Sequence, residues 1–178
     1  MLLIVNNGKG AEEISRSLRM QNKIVKPSEA GSIKASAYIL SDGSLSHQKD
    51  NEKIIKNSTK PVLGIGAGSL FIAAAFGGKI KKTAKTERQE RVMLEKPSPL
   101  TLDMKKNFTV FESYENVIEE LPETFTPMAR SSKYDFEIIL HAENPLFGVQ
   151  FNPEKGADGR MILANFEKFI GVWEKYHK

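Results

Sequence analysis

The chain has 178 residues, of which 40% are hydrophobic and 27% are charged, and its formal net charge is +4. This size and composition are typical of a globular protein with a sizeable core, so we expect one domain over residues 1–178. No segment approaches the roughly 20 consecutive apolar residues that a membrane-spanning helix needs. There is no cysteine, which excludes disulfides, thiolate metal sites and a thiolate nucleophile.

The positive charge comes from lysines that are dispersed along the chain, apart from a group at Lys79, Lys81, Lys82 and Lys85. Few aromatic residues lie among them to stack on bases, so nucleic acid is disfavoured as a partner. A basic surface could instead meet an acidic partner subunit. The first residues, MLLIVNNGKG, lack a basic segment before their apolar run, which favours a first strand over a signal peptide. We expect a cytoplasmic protein.

The first half of the chain alternates predicted strands and helices. Apolar runs predict strands at residues 2–5, 23–26, 35–40 and 62–66, and helical periodicity or composition predicts helices at 11–20, 47–57 and 69–76. Alternation of this kind indicates a parallel, doubly wound sheet. Ligands bind such sheets at the carboxyl ends of the strands, so the loop at residues 41–44 is a candidate site.

The second half has a different character. Residues 80–104 show no helical period, and we predict short strands at 92–94 and 100–102, followed by another at 108–111. Residues 136–140 and 147–151 flank a turn and predict a hairpin. A closing amphipathic helix is predicted over residues 158–176, with its apolar stripe formed by Ile162, Leu163, Phe166, Phe169, Ile170 and Trp173.

The most informative stretch is residues 60–80, KPVLGIGAGSLFIAAAFGGKI. A short apolar strand is followed by glycines at positions 64, 66 and 68 and then by a small, apolar helix. A strand, a sharp turn and a buried helix form a nucleophile elbow, which lifts one residue above the edge of the sheet. Here that residue is Gly66, which has no side chain that could attack a substrate.

This stretch resembles the elbow of the class I glutamine amidotransferases and, within that family, most closely the glutaminase subunits of GMP synthase. Further segments keep the family's order and spacing: AYILSDGS at 37–44, residues 120–131, FGVQFNPE at 147–154 and GRMILANF at 159–166. The resemblance implies an α/β fold with a flavodoxin-like, mostly parallel sheet and added antiparallel strands.

The same resemblance implies a degenerate catalytic triad. The family's catalytic cysteine falls on Gly66 and its histidine falls on Asn152, so that of the triad only the glutamate remains, as Glu154. An amide cannot act as a general base near neutral pH. We interpret Glu154 as a carboxylate that hydrogen-bonds Asn152 or caps the turn.

The oxyanion loop also departs from the family. Its first glycine falls on Asp42, whereas the backbone N–H groups of Gly43 and Ala67 could still donate. A carboxylate about 4 Å from the developing oxyanion would cost on the order of 4 kcal/mol at an effective dielectric near 20. We therefore expect Asp42 to oppose the chemistry of this family.

The glutamine pocket that the resemblance implies has changed as well. Leu70 replaces a glutamine that follows the elbow, and Ser69 replaces a histidine. Ser113 matches the family, whereas Tyr114 and Asn116 replace its histidine and aspartate. We expect glutamine to bind weakly or not at all.

Ser69 lies three residues beyond Gly66, so GAGSL superficially suggests a serine nucleophile. We interpret Ser69 as a helix-capping residue, because no general base accompanies it. The chain's three histidines, His47, His141 and His177, lie outside the motifs of the site. His141 falls in a predicted hairpin and is interpreted as a surface or packing residue.

A rival interpretation takes Gly64, Gly66 and Gly68 as a phosphate-binding glycine loop. A dinucleotide-binding loop would be followed about 20 positions later by an acidic residue. The segment from Lys79 to Lys85 is basic instead, and bound nucleotide would be the deciding observation.

Three functions follow from these observations. The first is a catalytically degenerate amidotransferase-like protein, without metal or cofactor, that serves as a structural or regulatory partner of an ATP-dependent synthetase such as GMP synthase. The second is a working glutaminase subunit that supplies ammonia from glutamine to an ATP-pyrophosphatase subunit. The third is a module that binds a small ligand or nucleotide in the vacated pocket.

Overall fold

The computed structural model describes residues 1–177. The strands are β1 (Leu2–Val5), β2 (Asn22–Val25), β3 (Ala37–Leu40), β4 (Val62–Ile65), β5 (Lys79–Leu94), β6 (Asn107–Glu120), β7 (Phe125–Ser131), β8 (Ile138–His141) and β9 (Leu146–Val149). The α-helices are α1 (Ala11–Ser17), α2 (Pro27–Ala30), α3 (Gln48–Asn57), α4 (Ala67–Ala75) and α5 (Ala157–Tyr176). Short 3₁₀ turns lie at Leu45–His47, Pro99–Thr101 and Pro153–Lys155.

Within residues 1–177 the strands form one nine-stranded sheet in the order β2-β1-β3-β4-β9-β8-β7-β5-β6. The first five strands in this order are mutually parallel, and the remaining pairings are antiparallel. The predicted fold class is therefore confirmed. The predicted hairpin is also present as β8 and β9, with Leu140 opposite Phe147.

The parallel half of the sheet is covered by helices on both faces, which is why its strands are apolar throughout. In β1, Leu2 and Ile4 face the side that is packed by α1 and α5. Leu3 and Val5 face the opposite side, where α3 and α4 pack. A strand buried on both faces needs no polar alternation, and all four residues of β1 are fully buried.

Helix α5 starts one residue before its predicted position and closes one face of the sheet. Ile162, Leu163, Phe166 and Ile170 are buried, and Phe169 packs against the same core. The stripe that was predicted from the sequence is the buried face of the helix. No helix in residues 1–177 is long and apolar enough to cross a membrane.

The main error concerns residues 80–104, where short strands were predicted at 92–94 and 100–102. Strand β5 instead runs for 16 residues and pairs with the similarly extended β6, whereas Leu100 lies in a 3₁₀ turn. Most side chains of β5 are exposed or half-buried, so its residues include many lysines, threonines and glutamates. A solvated ribbon leaves no apolar alternation, which is why the pattern was missed.

Smaller differences concern element ends and one missed strand. Helix α1 ends at Ser17 and not at residue 20, and α4 begins at Ala67 and not at residue 69. Strand β7 contains Pro127 and had not been recognised as a strand. Proline reduces the strand signal, and β7 carries a register shift between Pro127 and Ala129.

Candidate functional site

The carboxyl ends of β3 and β4 lie side by side and form the centre of the candidate site. The chain leaves β4 at Ile65, turns at Gly66 with φ 55° and ψ −114°, and enters α4 at Ala67. This strand–turn–helix arrangement is the elbow that the glycine spacing predicted. Its turn residue sits in a backbone region that side chains rarely adopt.

The space above Gly66 is filled by a side chain from the neighbouring strand end. A Cβ atom placed on Gly66 would lie 2.5 Å from both Cγ and Oδ1 of Asp42. Real Cβ contacts are not that short, so the Asp42 carboxylate lies where a nucleophilic side chain at position 66 would begin. Backbone conformation and occupied space therefore both disfavour a side chain at this position.

Asp42 also accepts the two backbone donors that the family resemblance assigns to the oxyanion hole. Its Oδ1 accepts hydrogen bonds from the N–H of Gly43 at 2.8 Å and from the N–H of Ala67 at 2.9 Å. Hydrogen bonds to a charged acceptor are about twice as strong as neutral ones. The carboxylate was expected to repel an oxyanion, and in the structure it accepts the two N–H groups that the family resemblance assigns to the oxyanion.

A buried hydrogen-bond network holds the Asp42 loop in position. The backbone N–H of Asn7 donates to Ser41 Oγ, and its side-chain amide donates to the Ser41 carbonyl, both at 2.9 Å. Asn51 in α3 donates to Asn7 Oδ1 at 2.7 Å. Asn7, Ser41 and Asn51 are fully buried. Asp42 is therefore attached to a rigid support and not to a mobile loop.

A small, polar cavity of about 130 Å³ opens beside the elbow. Its lining brings together every position that the sequence assigned to substrate binding, together with Gly66: Asp42, Gly43, Ala67, Leu70 and Ser113. Sequence reasoning placed these residues at separate points of the chain, and the fold joins them. Tyr114 and Asn116 also line the cavity.

Four residues of the lining were not predicted: Lys9, Leu45, Glu115 and Gln150. Lys9 follows the first strand, and its backbone N–H donates to the Asp42 carbonyl. Gln150 is 1% exposed and lies at the end of β9. The only sequence signal for Gln150 was its position inside the FGVQFNPE segment, where we had considered just the asparagine and the glutamate.

The other triad positions, Asn152 and Glu154, do not line this cavity. Both are buried, and Asn152 Oδ1 and Glu154 Oε2 find no hydrogen-bond partner in the described part of the chain. The predicted hydrogen bond between Glu154 and Asn152 is absent among the described residues. The alternative, in which Glu154 caps the turn, agrees with the hydrogen bond from its own backbone N–H, which lowers the pKa of this carboxyl. The 3₁₀ turn Pro153–Lys155 directs Glu154 toward the start of α1, where a Cβ on Gly10 would lie 2.8 Å from its Oε1.

Burial raises the pKa of Glu154 to about 7, and the charges of Asp42 and Glu13 add to this rise. Lys155 acts in the opposite direction but does not compensate. Glu154 therefore holds its proton far more readily than an exposed glutamate does.

Ser69 has a different role from the one predicted. Because α4 begins at Ala67 with Gly66 as its N-cap, Ser69 lies inside the first turn and caps nothing. Its hydroxyl is fully buried, points toward Gly148 and lacks a hydrogen-bond partner among residues 1–177. A serine that is enclosed in this way has neither a base nor a path to a substrate.

None of the three histidines lines the cavity. His141 is 6% exposed, packs against the rings of Phe76 and Phe125, and accepts hydrogen bonds at Nδ1 from the N–H groups of Glu143 and Asn144. Burial lowers its pKa. The interpretation of His141 as a packing residue is confirmed.

Two glycines of the elbow, Gly64 and Gly68, allow neighbouring backbone segments to approach closely. A Cβ on Gly64 would overlap the carbonyl of Gly68, and a Cβ on Gly68 would overlap the carbonyl of Leu40. The N–H of Ala67 is taken by Asp42, and the N–H groups of Ser69 and Leu70 donate to the Gly66 carbonyl. The donors that a phosphate would need at the start of α4 are thus largely engaged, which weighs against the glycine-loop interpretation.

A second polar group that the sequence analysis missed lies behind the cavity. Glu112, which precedes Ser113, and Glu137 are both fully buried, and Arg88 Nη2 lies 3.3 Å from Glu112 Oε2. Burial raises the pKa of both carboxyls, and for Glu137 the nearby charge of Glu112 adds to the rise. Arg88 lies in β5, Glu112 in β6 and Glu137 directly before β8, so no local pattern pointed to them.

Comparisons with known proteins show the family of this chain. Residues 4–169 match the family model described as Glutamine amidotransferase class-I. A GMP synthase (glutamine-hydrolyzing) subunit from Pyrococcus abyssi is 35% identical, with 96% of this chain and 99% of that protein covered. The protein of the same name from Methanococcus aeolicus is 33% identical, with 97% and 98% covered.

Solved structures give the same result. A Thermoplasma acidophilum protein that carries a provisional GMP synthase subunit name superposes with a TM-score of 0.91 at 25% identity, covering 98% of this chain and 96% of that one. A glutamine amidotransferase from Thermotoga maritima, at 17% identity and a TM-score of 0.72, shares the fold and covers 98% of this chain and 82% of its own. The chain belongs to the class I glutamine amidotransferase family and is similar to these glutamine-hydrolyzing subunits of GMP synthase.

Proposed function

We propose that this chain is a class I glutamine amidotransferase-like protein that does not hydrolyse glutamine and serves as a structural or regulatory partner of an ATP-dependent synthetase. One observation carries the proposal. The Asp42 carboxylate accepts the N–H donors of Gly43 and Ala67 and stands over Gly66. The oxyanion hole is filled from within the protein, in the space where a nucleophile would stand.

The chemistry of amide hydrolysis supports the same conclusion from a different side. A covalent mechanism needs a nucleophile, a base that takes and returns its proton, and donors for the oxyanion. The sequence has no cysteine, and position 66 has no side chain. Asn152 cannot act as a base, and Glu154 has no imidazole to orient. Loss of one oxyanion donor alone typically costs about 3 to 4 kcal/mol of transition-state stabilisation.

A synthetase partner is proposed from the relatives. The similar proteins from Pyrococcus abyssi and Methanococcus aeolicus are named as subunits of GMP synthase, and this chain covers nearly all of each. The family resemblance implies that the other subunit is an ATP-pyrophosphatase. We propose that this chain retains the subunit role within a cytoplasmic purine-synthesis complex while the glutaminase chemistry is lost.

The deciding experiment is an assay of glutamate release from glutamine, by the purified chain alone and with the synthetase subunit added. We expect no release above that of a buffer control in either case. Release that depends on the synthetase would overturn the proposal and favour the working glutaminase instead. A pull-down from the source lysate with mass spectrometry tests the partner separately, and recovery of an ATP-pyrophosphatase-type synthetase is expected.

Glutamine binding provides a second measurement. The cavity holds a carboxylate, a leucine and an exposed glutamate (Asp42, Leu70 and Glu115), and we expect no saturable heat when glutamine is titrated into the protein. Tight calorimetric binding of glutamine would contradict this expectation. The same titration with GMP and ATP tests the third function, a small-ligand or nucleotide module in the vacated pocket.

A further inference from the structure

Two glutamate side chains, Glu112 in β6 and Glu137 directly before β8, are buried close to each other. Both are fully buried, and they are near enough for the charge of Glu112 to raise the pKa of Glu137. Two ionised carboxylates in a buried space repel each other strongly, because little water is present to screen them. Simultaneous ionisation of this pair is therefore unfavourable.

Arg88 in β5 is the one cation that pairs with this group within residues 1–177. Its Nη2 lies 3.3 Å from Glu112 Oε2, and its Nε lies 3.0 Å from Glu90 Oε2. Glu137 takes part in none of the ion pairs of the described chain. One guanidinium thus faces three carboxyl groups, and Glu137 is left without a counter-charge.

The carboxyl oxygens of the pair also lack hydrogen-bond donors. Neither oxygen of Glu112 and neither oxygen of Glu137 has a hydrogen-bond partner among residues 1–177, and the contact with Arg88 lacks hydrogen-bond geometry. Two phenols are close enough to feel these charges, Tyr114 and Tyr134, and burial raises the pKa of each, so both are neutral near neutral pH. A proton on one carboxyl removes a charge and converts an acceptor into a donor.

The pair connects two segments that line the cavity beside the elbow. Glu112 directly precedes residues 113–116 of β6, all of which line that cavity. The backbone carbonyl of Glu137 accepts the N–H of Gln150, which is another lining residue. The side chain of Gln150 in turn donates to the Asn116 carbonyl at 3.1 Å. Attraction or repulsion between the two glutamates therefore acts on the backbone of both lining segments.

We propose that Glu112 and Glu137 share one proton, and that this proton holds residues 113–116 of β6 against the segment that carries Glu137. The O–H of one carboxyl donates to the carboxylate of the other, which is among the strongest hydrogen bonds that side chains form. Release of the proton to solvent leaves two buried like charges, so the lining segment of β6 loosens. This pH-dependent contact operates whether or not the chain hydrolyses glutamine.

The direction of the pH dependence follows from the burial of the pair. Burial raises the pKa of both carboxyls above the values of the unfolded chain. The stabilisation is therefore complete at low pH and is lost as the pH rises through the folded-state values of the pair. We expect β6 to be held most tightly in acid and to loosen toward alkaline pH.

The first test is a nuclear magnetic resonance titration that follows the side-chain carboxyl carbons of the ¹³C-labelled full chain. Because the two groups share a proton, each carbon should respond in the same two steps. The second step, which removes the shared proton, should lie at a higher pH than the titration of a glutamate in an unstructured peptide. Independent, single-step titrations of Glu112 and Glu137 at the pH of the peptide would overturn the proposal.

The second test measures hydrogen exchange of the amides of residues 113–116, relative to the amides of β1. This ratio corrects for changes in global stability, including those caused by Glu154. Between about pH 5 and about pH 8, the relative protection in the parent should fall about tenfold or more, which corresponds to a shift of one pKa unit. Glu137→Gln keeps a donor and cannot lose a proton, so its relative protection should fall less than about threefold.

Two further variants control this comparison. Glu87→Gln removes an exposed carboxylate of β5, and its exchange should follow that of the parent. Glu112→Gln removes one member of the pair, so the Glu137 carbon should then titrate in a single step, and it keeps the proposal testable if Glu137→Gln does not fold. A decline in Glu137→Gln equal to that of the parent, or a two-step titration of Glu137 in Glu112→Gln, would overturn the proposal. None of these measurements uses glutamine, so their failure is distinguishable from failure of the proposed function.

Discussion

Two parts of the molecule hold the positions that the family resemblance assigns to catalysis: the elbow, which lines the cavity, and the segment after β9, whose Asn152 and Glu154 do not. The elbow wall, formed by Asp42, Gly43, Gly66 and Ala67, has its backbone donors paired with a carboxylate and its space filled. The β9 wall, formed by Asn152 and Glu154, has buried oxygens without partners in the described chain. The backbone donors of the elbow wall are hydrogen-bonded to Asp42, whereas Asn152 Oδ1 and Glu154 Oε2 of the β9 wall have no partner among residues 1–177.

The two walls differ in hydrogen bonding because the elbow wall presents backbone N–H donors, whereas the β9 wall presents side chains. The donors of the elbow wall belong to the backbone, so the fold places them correctly whatever the side chains are, and a carboxylate from an adjacent strand end can reach them. The β9 wall needs a side chain of the reach of an imidazole to join Glu154 to the site. Asparagine is shorter, and no neighbouring strand end within residues 1–177 supplies a substitute. Unpaired polar groups are thus unevenly distributed between the two walls.

The largest expected effect comes from adding a side chain to the elbow wall. Gly66→Cys would place Cβ 2.5 Å from the Asp42 carboxylate at a residue with φ 55°. Backbone strain and overpacking each cost on the order of 1 to 3 kcal/mol, so we expect about 3 kcal/mol of lost stability in urea denaturation. Adding Asp42→Gly to this variant should recover part of the loss. A stability equal to that of the parent would contradict the crowded geometry.

We expect Glu154, in the β9 wall, to make the free energy of unfolding depend on pH. The folded-state pKa of Glu154 is raised to about 7 from 4.5, so the folded chain binds this proton more tightly than the unfolded chain does. The stability from this group is complete below about pH 4.5 and is lost as the pH rises through about 7, for a total of about 3 kcal/mol. Glu154→Gln should flatten that part of the stability profile.

The measurement is the free energy of unfolding at several pH values between about 4 and 8, for the parent and for Glu154→Gln. Glu12→Gln is the matched control, because Glu12 is an exposed carboxylate in the first turn of α1. Its profile should follow that of the parent. If the parent and Glu154→Gln lose stability in parallel as the pH rises, Glu154 does not carry the cost that we assign to the β9 wall.

Removing the Asp42 carboxylate from the elbow wall should have an intermediate effect on stability. Asp42→Ala leaves the N–H groups of Gly43 and Ala67 without their charged acceptor, and we expect a loss of about 2 kcal/mol. Hydrogen exchange at these two amides should become faster than in the parent. Asp42→Asn should lose less, because its amide oxygen can still accept, and an unchanged exchange rate in Asp42→Ala would contradict the role of the carboxylate.

The smallest effect concerns an orphan group on the elbow helix. The Ser69 hydroxyl is buried without a partner within residues 1–177, so Ser69→Ala removes an unsatisfied group and should raise stability by up to about 1 kcal/mol. A thermal melt of both proteins measures the change. A clear destabilisation would mean that the hydroxyl has a partner, such as a bound water, and that the elbow wall is fully satisfied.

Local sequence patterns determined much of this protein. The apolar runs of β1 and β4, the stripe of α5 and the turn at Gly66 are each encoded within one short segment, because periodicity and turn chemistry act over a few residues. The absence of cysteine and the asparagine at position 152 were also sufficient to predict that the site lacks a nucleophile and a base. The sequence did not predict the full length of β5, because most of its side chains are exposed or half-buried and give no apolar alternation.

Only the tertiary structure shows that the Asp42 carboxylate fills the space above Gly66. Asp42 and Ala67 are 25 residues apart, and whether the carboxylate repels or occupies the oxyanion hole depends on the close approach of two strand ends. The same holds for Gln150, whose partner lies 34 residues away at Asn116. Sequence alone determines which groups are present, whereas hydrogen bonding between distant segments depends on distances of a few tenths of an ångström that only the folded chain sets.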